Sequence, residues 1–168
     1  LEFADIIANQ QFNSTDTNVG GWKDSKLRTY INETIYNSLS NDLKSVISTT
    51  KVISGHGSPE GEANFETQDK LYLLSTHEVY EDGANNTAST YDSSYSNTKQ
   101  LDYYKNQGIT TDNYAGAIKQ YNGSNSDWWL RSVNLNFDDS FNLITRKGIL
   151  MNSNSSGPVG VSPAFRIA

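Results

Sequence analysis

The stretch Trp128-Trp129-Leu130-Arg131-Ser132 places three large apolar residues beside an arginine. Aromatic side chains bury a large area per residue, so we expect this stretch to lie in the core. A second apolar stretch, Pro163-Ala164-Phe165-Arg166-Ile167, predicts a closing strand. Each arginine has a fork of donors that can hold loop carbonyls or a carboxylate in place. We therefore predict a structural frame made of Trp128, Trp129, Arg131, Phe165 and Arg166.

A hydrophilic segment of residues 133–156 lies between these two stretches. It mixes apolar anchors with adaptable hydrogen-bonding groups, as antibody paratopes do. A surface that tolerates substitution needs a backbone held by residues outside it. We predict that the segment forms variable binding loops with the ligand-binding residues Asn134, Asn136, Phe137, Asp138, Asp139, Phe141, Asn142, Thr145, Leu150 and Asn152. The alternative places Phe141 and Leu143 in the core.

The composition excludes several classes of protein. A length of 168 residues fits one domain, residues 1–168, in which residues 1–20 are a lead-in strand or loop. The chain has no cysteine, which excludes a disulfide scaffold and a thiolate metal site. Its net charge is −6, and no stretch gathers Lys or Arg into a stripe, so we predict no nucleic-acid partner. The apolar runs are too short to insert in a membrane.

Local patterns predict helices early in the chain and short strands late. Asp24 or Ser25 can cap a helix that carries apolar residues at helical spacing, and Ser40 or Asn41 can cap a second one. Ser75 and Glu78 have the spacing of a capping box. A hairpin is expected around Gly148, and residues 82–97 are expected to form a long surface loop.

Candidate catalytic residues are few. The two histidines are His56 and His77, and neither lies in a Gly-x-Ser-x-Gly or His-Glu-x-x-His setting. Four nearby carboxylates have the spacing of a solvated acidic face rather than of a glycosidase pair: Glu60, Glu62, Glu66 and Asp69. The sequence therefore predicts no enzyme.

Hard oxygen ligands for calcium are present at Asp138 and Asp139, with several Asn side chains nearby. No Asp-x-Asp-x-Asp-Gly loop accompanies them. We predict no metal site and no cofactor, and calcium binding stays open.

The two apolar stretches together resemble the C-terminal signature of an uncharacterised domain family of gut bacteria and their phages. The second half of that signature is Gly160-Val161-Ser162-Pro163-Ala164-Phe165-Arg166-Ile167. Residues 22–32 and 69–75 also resemble blocks of the family, so the similarity spans roughly residues 20–168. The family is similar to C-type lectins, which implies an α+β, C-type-lectin-like fold with two N-terminal helices packed on a small twisted antiparallel sheet with long loops.

The lectin resemblance is partial. Calcium-dependent sugar-binding lectins carry Glu-Pro-Asn or Gln-Pro-Asp and Trp-Asn-Asp motifs, none of which occurs in this sequence. Formylglycine-generating enzymes share the architecture, but they depend on cysteines that this chain lacks.

A second resemblance is to the variable proteins of diversity-generating retroelements, whose variable residues lie just before the C-terminus. Such systems mutate adenines, so an Asn codon altered at its first two bases never yields Lys, Glu, Gln, Met or Trp. Within residues 133–156, only Lys147 and Met151 fail this filter. An ordinary polar loop can also pass it.

Together these observations predict a displayed ligand-binding module, diversified by a retroelement, that contacts a protein or glycan on a cell or phage surface. We expect it to be extracellular, cell-surface or virion-associated, with any export signal outside this sequence. The alternative is a fixed carbohydrate-binding or adhesion module of a bacterial surface protein. The oligomeric state stays open.

Overall fold

The protein is built mainly from short strands, which a computed structural model describes over residues 1–57, 62–81 and 92–168. In chain order the strands are β1 (Ala8–Gln10), β2 (Ile47–Ser48), β3 (Thr50–Ser54), β4 (Phe65–Asp69), β5 (Lys119–Tyr121), β6 (Ser124–Ser126), β7 (Trp128–Val133), β8 (Ser140–Ile144), β9 (Leu150–Asn154), β10 (Val159–Val161) and β11 (Arg166–Ile167).

Five of these strands form the main sheet, in the order β1-β10-β7-β8-β9. The β10–β7 pair is parallel and the other three pairs are antiparallel, so the sheet is mixed. Three two-stranded ladders join β11 to β2, β3 to β4 and β5 to β6. Because β1 pairs with β10, the first and last parts of the chain lie side by side.

The helices are short. One helical run spans residues 26–38 and consists of α1 (Lys26–Tyr30), a π-helical turn (Ile31–Ile35) and α2 (Tyr36–Ser38). The remaining described helices have six residues or fewer: α3 (Asn41–Val46), α4 (Thr76–Val79) and α5 (Asp102–Asn106). Two 3₁₀ turns cover Tyr95–Asn97 and Ala115–Ala117.

The predicted α+β, C-type-lectin-like fold is wrong. Its defining feature was a pair of N-terminal helices packed on a small antiparallel sheet, whereas strands dominate the described structure and the central sheet contains a parallel pair. Part of the predicted lead-in, residues 8–10, is itself a strand of this sheet. Of the predicted surface loop at residues 82–97, residues 82–91 lie outside the described ranges.

One cluster of buried apolar side chains extends from Ile6 to Phe165. At its centre the ring of Phe12 stacks on Phe141, with 3.5 Å between centroids, and meets Trp129 edge-on at 5.4 Å. Every residue of β7 and of β8 is buried, so both faces of these two central strands are covered. The core therefore holds β7 and β8 rigid, and the candidate site projects from these two strands.

Candidate functional site

A cleft of about 200 Å³ opens between the loop after β7 and the β8–β9 hairpin. We call it the β8–β9 cleft, and its lining residues are Asn134, Asn136, Phe137, Asn142, Leu150, Met151 and Asn152. Six of the ten predicted ligand-binding residues are thus brought together. The seventh lining residue, Met151, was not predicted, because the codon filter removed it.

Apolar side chains stand on the rim of the cleft. Phe137 is 51% exposed and Met151 is 53% exposed, and neighbouring Leu135 is 37% exposed. Large apolar groups left in water beside hydrogen-bonding side chains are typical of the anchors of binding surfaces. Covering them with a ligand would remove this apolar area from water and favour binding.

The base of the cleft contains two buried asparagines whose polar groups are engaged within the protein. Asn142 is buried on β8, and its Nδ2 donates to Thr76 Oγ1 at 3.0 Å. Asn134 is also buried, and its Oδ1 accepts the backbone N–H of Asn136 at 3.0 Å. Their assignment as freely variable surface residues is wrong, because each holds the shape of the site.

Asn18 is fully buried and holds the loop after β7 in place through hydrogen bonds. Its Nδ2 donates to the carbonyls of Phe137 and Ser140, at 2.6 and 3.2 Å, and its backbone N–H donates to the carbonyl of Asp138 at 2.9 Å. Three consecutive parts of the loop are therefore fixed by one residue from the N-terminal lead-in. Side chains such as Phe137 can change while the backbone stays in place.

Ser155 fastens the end of β9 in a similar way and is also fully buried. Its backbone N–H donates to the Asp139 carbonyl at 2.9 Å. Its hydroxyl oxygen accepts the backbone N–H of Thr17 at 2.9 Å and lies 3.0 Å from the Thr15 carbonyl. Sequence reasoning missed both Asn18 and Ser155, since a single polar residue in a turn-rich stretch carries no signal of burial.

Four predicted ligand-binding residues lie outside the cleft. Phe141 is fully buried against Phe12, so its assignment to the surface is wrong and the core alternative is correct. Thr145 belongs to the β8–β9 turn, where its hydroxyl accepts the Ile149 N–H at 3.1 Å. Asp138 and Asp139 lie beside the cleft in the loop after β7, where Asp138 is exposed and Asp139 is half-buried.

The predicted frame residues are placed in different environments. Trp128 and Trp129 are fully buried, and their indole N–H groups donate to the Ala117 and Gln10 carbonyls, at 3.1 and 2.9 Å. Phe165 is buried as well. Arg166 is exposed, so its assignment to the frame is wrong: β11 lies at the edge of a two-stranded ladder rather than in the main sheet.

Arg131 is buried and its donors are taken up by the protein. Nε and Nη2 donate to the Ile53 carbonyl at 3.1 and 2.9 Å, and Nη1 donates to the Leu73 carbonyl at 2.8 Å. Nη1 also pairs with the carboxylate of Glu78. This side chain ties β7 to β3 and to the start of α4.

His77 and Asp69 are held in structural contacts. The His77 ring stacks on Tyr95 with 3.7 Å between centroids. Asp69 is buried and accepts from Trp22 Nε1 at 3.0 Å, Thr67 Oγ1 at 2.6 Å and Arg28 Nε at 2.8 Å. A buried carboxylate that accepts three hydrogen bonds from the protein has a structural role. Another member of the predicted acidic face, Glu60, lies outside the described residues.

Within residues 1–57, 62–81 and 92–168, no three His, Asp or Glu side chains are grouped closely enough to hold a metal ion. None of the helices in the same ranges has the length and apolar character needed to cross a membrane.

A family model described as Domain of unknown function (DUF6273) matches residues 3–168. No curated protein and no solved structure matches the chain. The family description names no activity, ligand or partner, so the assignment of a function depends on the site geometry.

Proposed function

We propose that this chain, which belongs to the family described as Domain of unknown function (DUF6273), is a non-catalytic recognition module that binds a protein or glycan through the β8–β9 cleft. The observation that supports this proposal is the pair of exposed apolar side chains, Phe137 and Met151, which line the cleft together with exposed Asn136 and half-buried Asn152. Apolar anchors with hydrogen-bonding neighbours provide both affinity and orientation.

The hydrogen bonds that hold the loop backbone support the proposal, because a preorganised surface loses less conformational entropy when it binds. Asn18 and Ser155 hold the backbone on either side of the cleft through partly buried hydrogen bonds. A ligand then has only the exposed side chains to order.

The proposal includes diversification by a retroelement, but at fewer positions than the sequence alone predicts. Exposed Asn136 and half-buried Asn152 can change without disturbing the core, whereas Asn134 and Asn142 cannot.

Sequencing related genes and their surroundings tests whether the chain is diversified. We expect a near-copy template of the codons for residues 133–156, with retained variants that differ at Asn136 and Asn152 far more often than at Asn134 and Asn142. Equal variation at all four positions, or no template, would contradict diversification and leave a fixed binding module.

The binding test compares the wild-type protein with the double variant Phe137→Ser/Met151→Ser on a defined glycan array and an immobilised peptide library. Removing two apolar anchors is expected to weaken binding at least about tenfold. Tyr103→Ser is the matched control, because Tyr103 is a 61% exposed aromatic residue on α5, outside the cleft. Glycan hits and peptide hits distinguish the two ligand classes. Binding by the double variant that equals the wild type on every ligand would overturn the proposal.

The proposal also places the module at a cell or virion surface, because a displayed recognition site must reach its target. Protease treatment of intact cells or particles that carry the full gene product is expected to remove this domain. Protection from protease until lysis would contradict that location.

A further inference from the structure

A second cleft, of about 410 Å³, lies against β3 and shares no lining residue with the β8–β9 cleft. Its walls come from β3, Tyr72, the start of α4, residues 96–99, and the arginines of β7 and β11. We call it the basic cleft. The proposed recognition function makes no use of it.

The basic cleft has an excess of positive charge in a chain whose net charge is −6. Four cationic side chains line it: Lys51, Lys99, Arg131 and Arg166. The one carboxylate among the described lining residues belongs to Glu78, and Arg131 pairs with it. A concave surface lined by one sign of charge concentrates ions of the opposite sign.

The charges that remain available to a ligand are at the mouth of the cleft. Arg131 is committed to two carbonyls and to Glu78, so it forms part of the wall. Lys99 and Arg166 are both exposed, and the Arg166 side chain also hydrogen-bonds Tyr72, another residue of the lining. Lys51 pairs with Glu66 at 2.7 Å, but both side chains are at least half exposed, and such surface pairs are weak enough to exchange partners.

Tyr72 provides a neutral donor at the same place. It is 7% exposed and its ring lies 5.9 Å from the Arg131 guanidinium carbon. Burial raises the pKa of Tyr72 and the Glu78 carboxylate raises it further, while a hydrogen bond to Arg166 and the charges of Arg166 and Arg131 offset part of the rise. The pKa stays above its ordinary value, so the hydroxyl keeps its proton at neutral pH. The apolar part of the lining comes from Val52, Ile53 and Leu101.

We infer that the basic cleft binds a small anionic ligand in which a carboxylate or phosphate is joined to an apolar group. Arg166 and Lys99 contact the anion, and the Tyr72 hydroxyl donates to it. Val52 and Leu101 contact the apolar part. Charge-assisted hydrogen bonds of this kind are stronger than neutral ones, and the apolar wall favours an organic anion over an inorganic one.

An NMR titration of the wild-type protein tests the inference with four probes: benzoate, phenyl phosphate, inorganic phosphate and benzyl alcohol. We expect saturable shifts at Tyr72, Lys99 and Arg166 with the two aromatic anions, weaker binding of inorganic phosphate, and none of benzyl alcohol. Benzoate and phenyl phosphate distinguish a carboxylate from a phosphate ligand. Raising the salt concentration is expected to weaken the binding.

The double variant Arg166→Gln/Lys99→Gln is expected to bind the better anion at least about tenfold more weakly. Both side chains are exposed, so the fold is expected to persist, and circular dichroism checks it. Lys105→Gln is the matched control, because Lys105 is an exposed cation on α5 that does not line the cleft. Absence of saturable shifts at the cleft in the wild type, equal binding of benzyl alcohol, or an equal loss in the control would overturn the inference. None of these outcomes alters the test of the β8–β9 cleft.

Discussion

Asn18 holds the loop after β7, which forms one wall of the β8–β9 cleft. Replacing Asn18 with alanine leaves the carbonyl of Phe137 without its donor and takes one of two donors from the carbonyl of Ser140, which keeps the backbone N–H of Asn134. Removing one partner of buried hydrogen bonds leads us to expect a loss of about 2 kcal/mol in the free energy of unfolding. Denaturant titration of Asn18→Ala measures it, and Asn106→Ala, at an exposed asparagine on α5, is expected to change stability by less than about 0.5 kcal/mol. Equal losses in the two variants would contradict the role of Asn18.

Glu78 and Glu66 provide a comparison of a buried ion pair with an exposed one. Glu78→Gln keeps a side chain that can complete the capping box with Ser75, but it leaves the buried charge of Arg131 without its counter-charge. We expect a loss of about 3 kcal/mol in the free energy of unfolding. Glu66→Gln breaks the exposed pair with Lys51 and is expected to cost about 0.5 kcal/mol or less. Thermal melts at equal ionic strength measure both changes, and a similar cost for the two would show that Arg131 is satisfied by carbonyls alone.

The β8–β9 hairpin depends on Gly148, whose φ is +87°. A Cβ at this position would lie 2.3 Å from the Tyr114 carbonyl oxygen, so Gly148→Ala adds a backbone clash to the strain of a left-handed conformation. Gly123, in the β5–β6 turn, has a φ of +80° and open space around it. We expect Gly123→Ala to cost about 1 kcal/mol and Gly148→Ala about 3 kcal/mol. Denaturant titration of both variants measures the difference, and equal costs would mean that the Tyr114 loop moves aside.

The starts of the helices could be predicted from the sequence, because a capping hydrogen bond joins residues that are close in the chain. Ser25, Ser40 and Ser75 each accept a backbone N–H within the first turn of a helix, as their spacing predicts, and the capping box with Glu78 is confirmed. The hairpin with Gly148 in its turn is also confirmed.

The strands were hard to predict because their sequences lack the expected pattern. β1, β6 and β9 consist largely of Asn, Gln and Ser, which show no alternation of apolar and polar residues. β8 is buried on both faces, and a central strand of that kind shows no alternation either. This is why Phe141 was read as a surface anchor. The cleft itself was easier to predict, since its lining residues come from one stretch of chain.

Long-range pairing explains why the fold class was misjudged while local elements were predicted correctly. Ala8 pairs with Val161, and Trp129 donates to the carbonyl of Gln10. Contacts between such distant parts of the chain leave no trace in local composition or periodicity. The result is a sheet that the lead-in completes, whereas the sequence left open whether residues 1–20 form a strand or a loop.

The same long-range pairing predicts that the protein unfolds in one step. Trp22, Trp128 and Trp129 are all fully buried in the cluster that joins the N-terminal lead-in to the central strands, so tryptophan fluorescence reports on both regions at once. For a single cooperative core we expect the denaturation midpoints from fluorescence and from far-ultraviolet circular dichroism to coincide. A chain that begins at Phe12 lacks β1 and the Gln10 carbonyl that accepts from Trp129, so both of its midpoints should fall together. Separate midpoints in the intact chain would show that the lead-in and the central sheet fold independently.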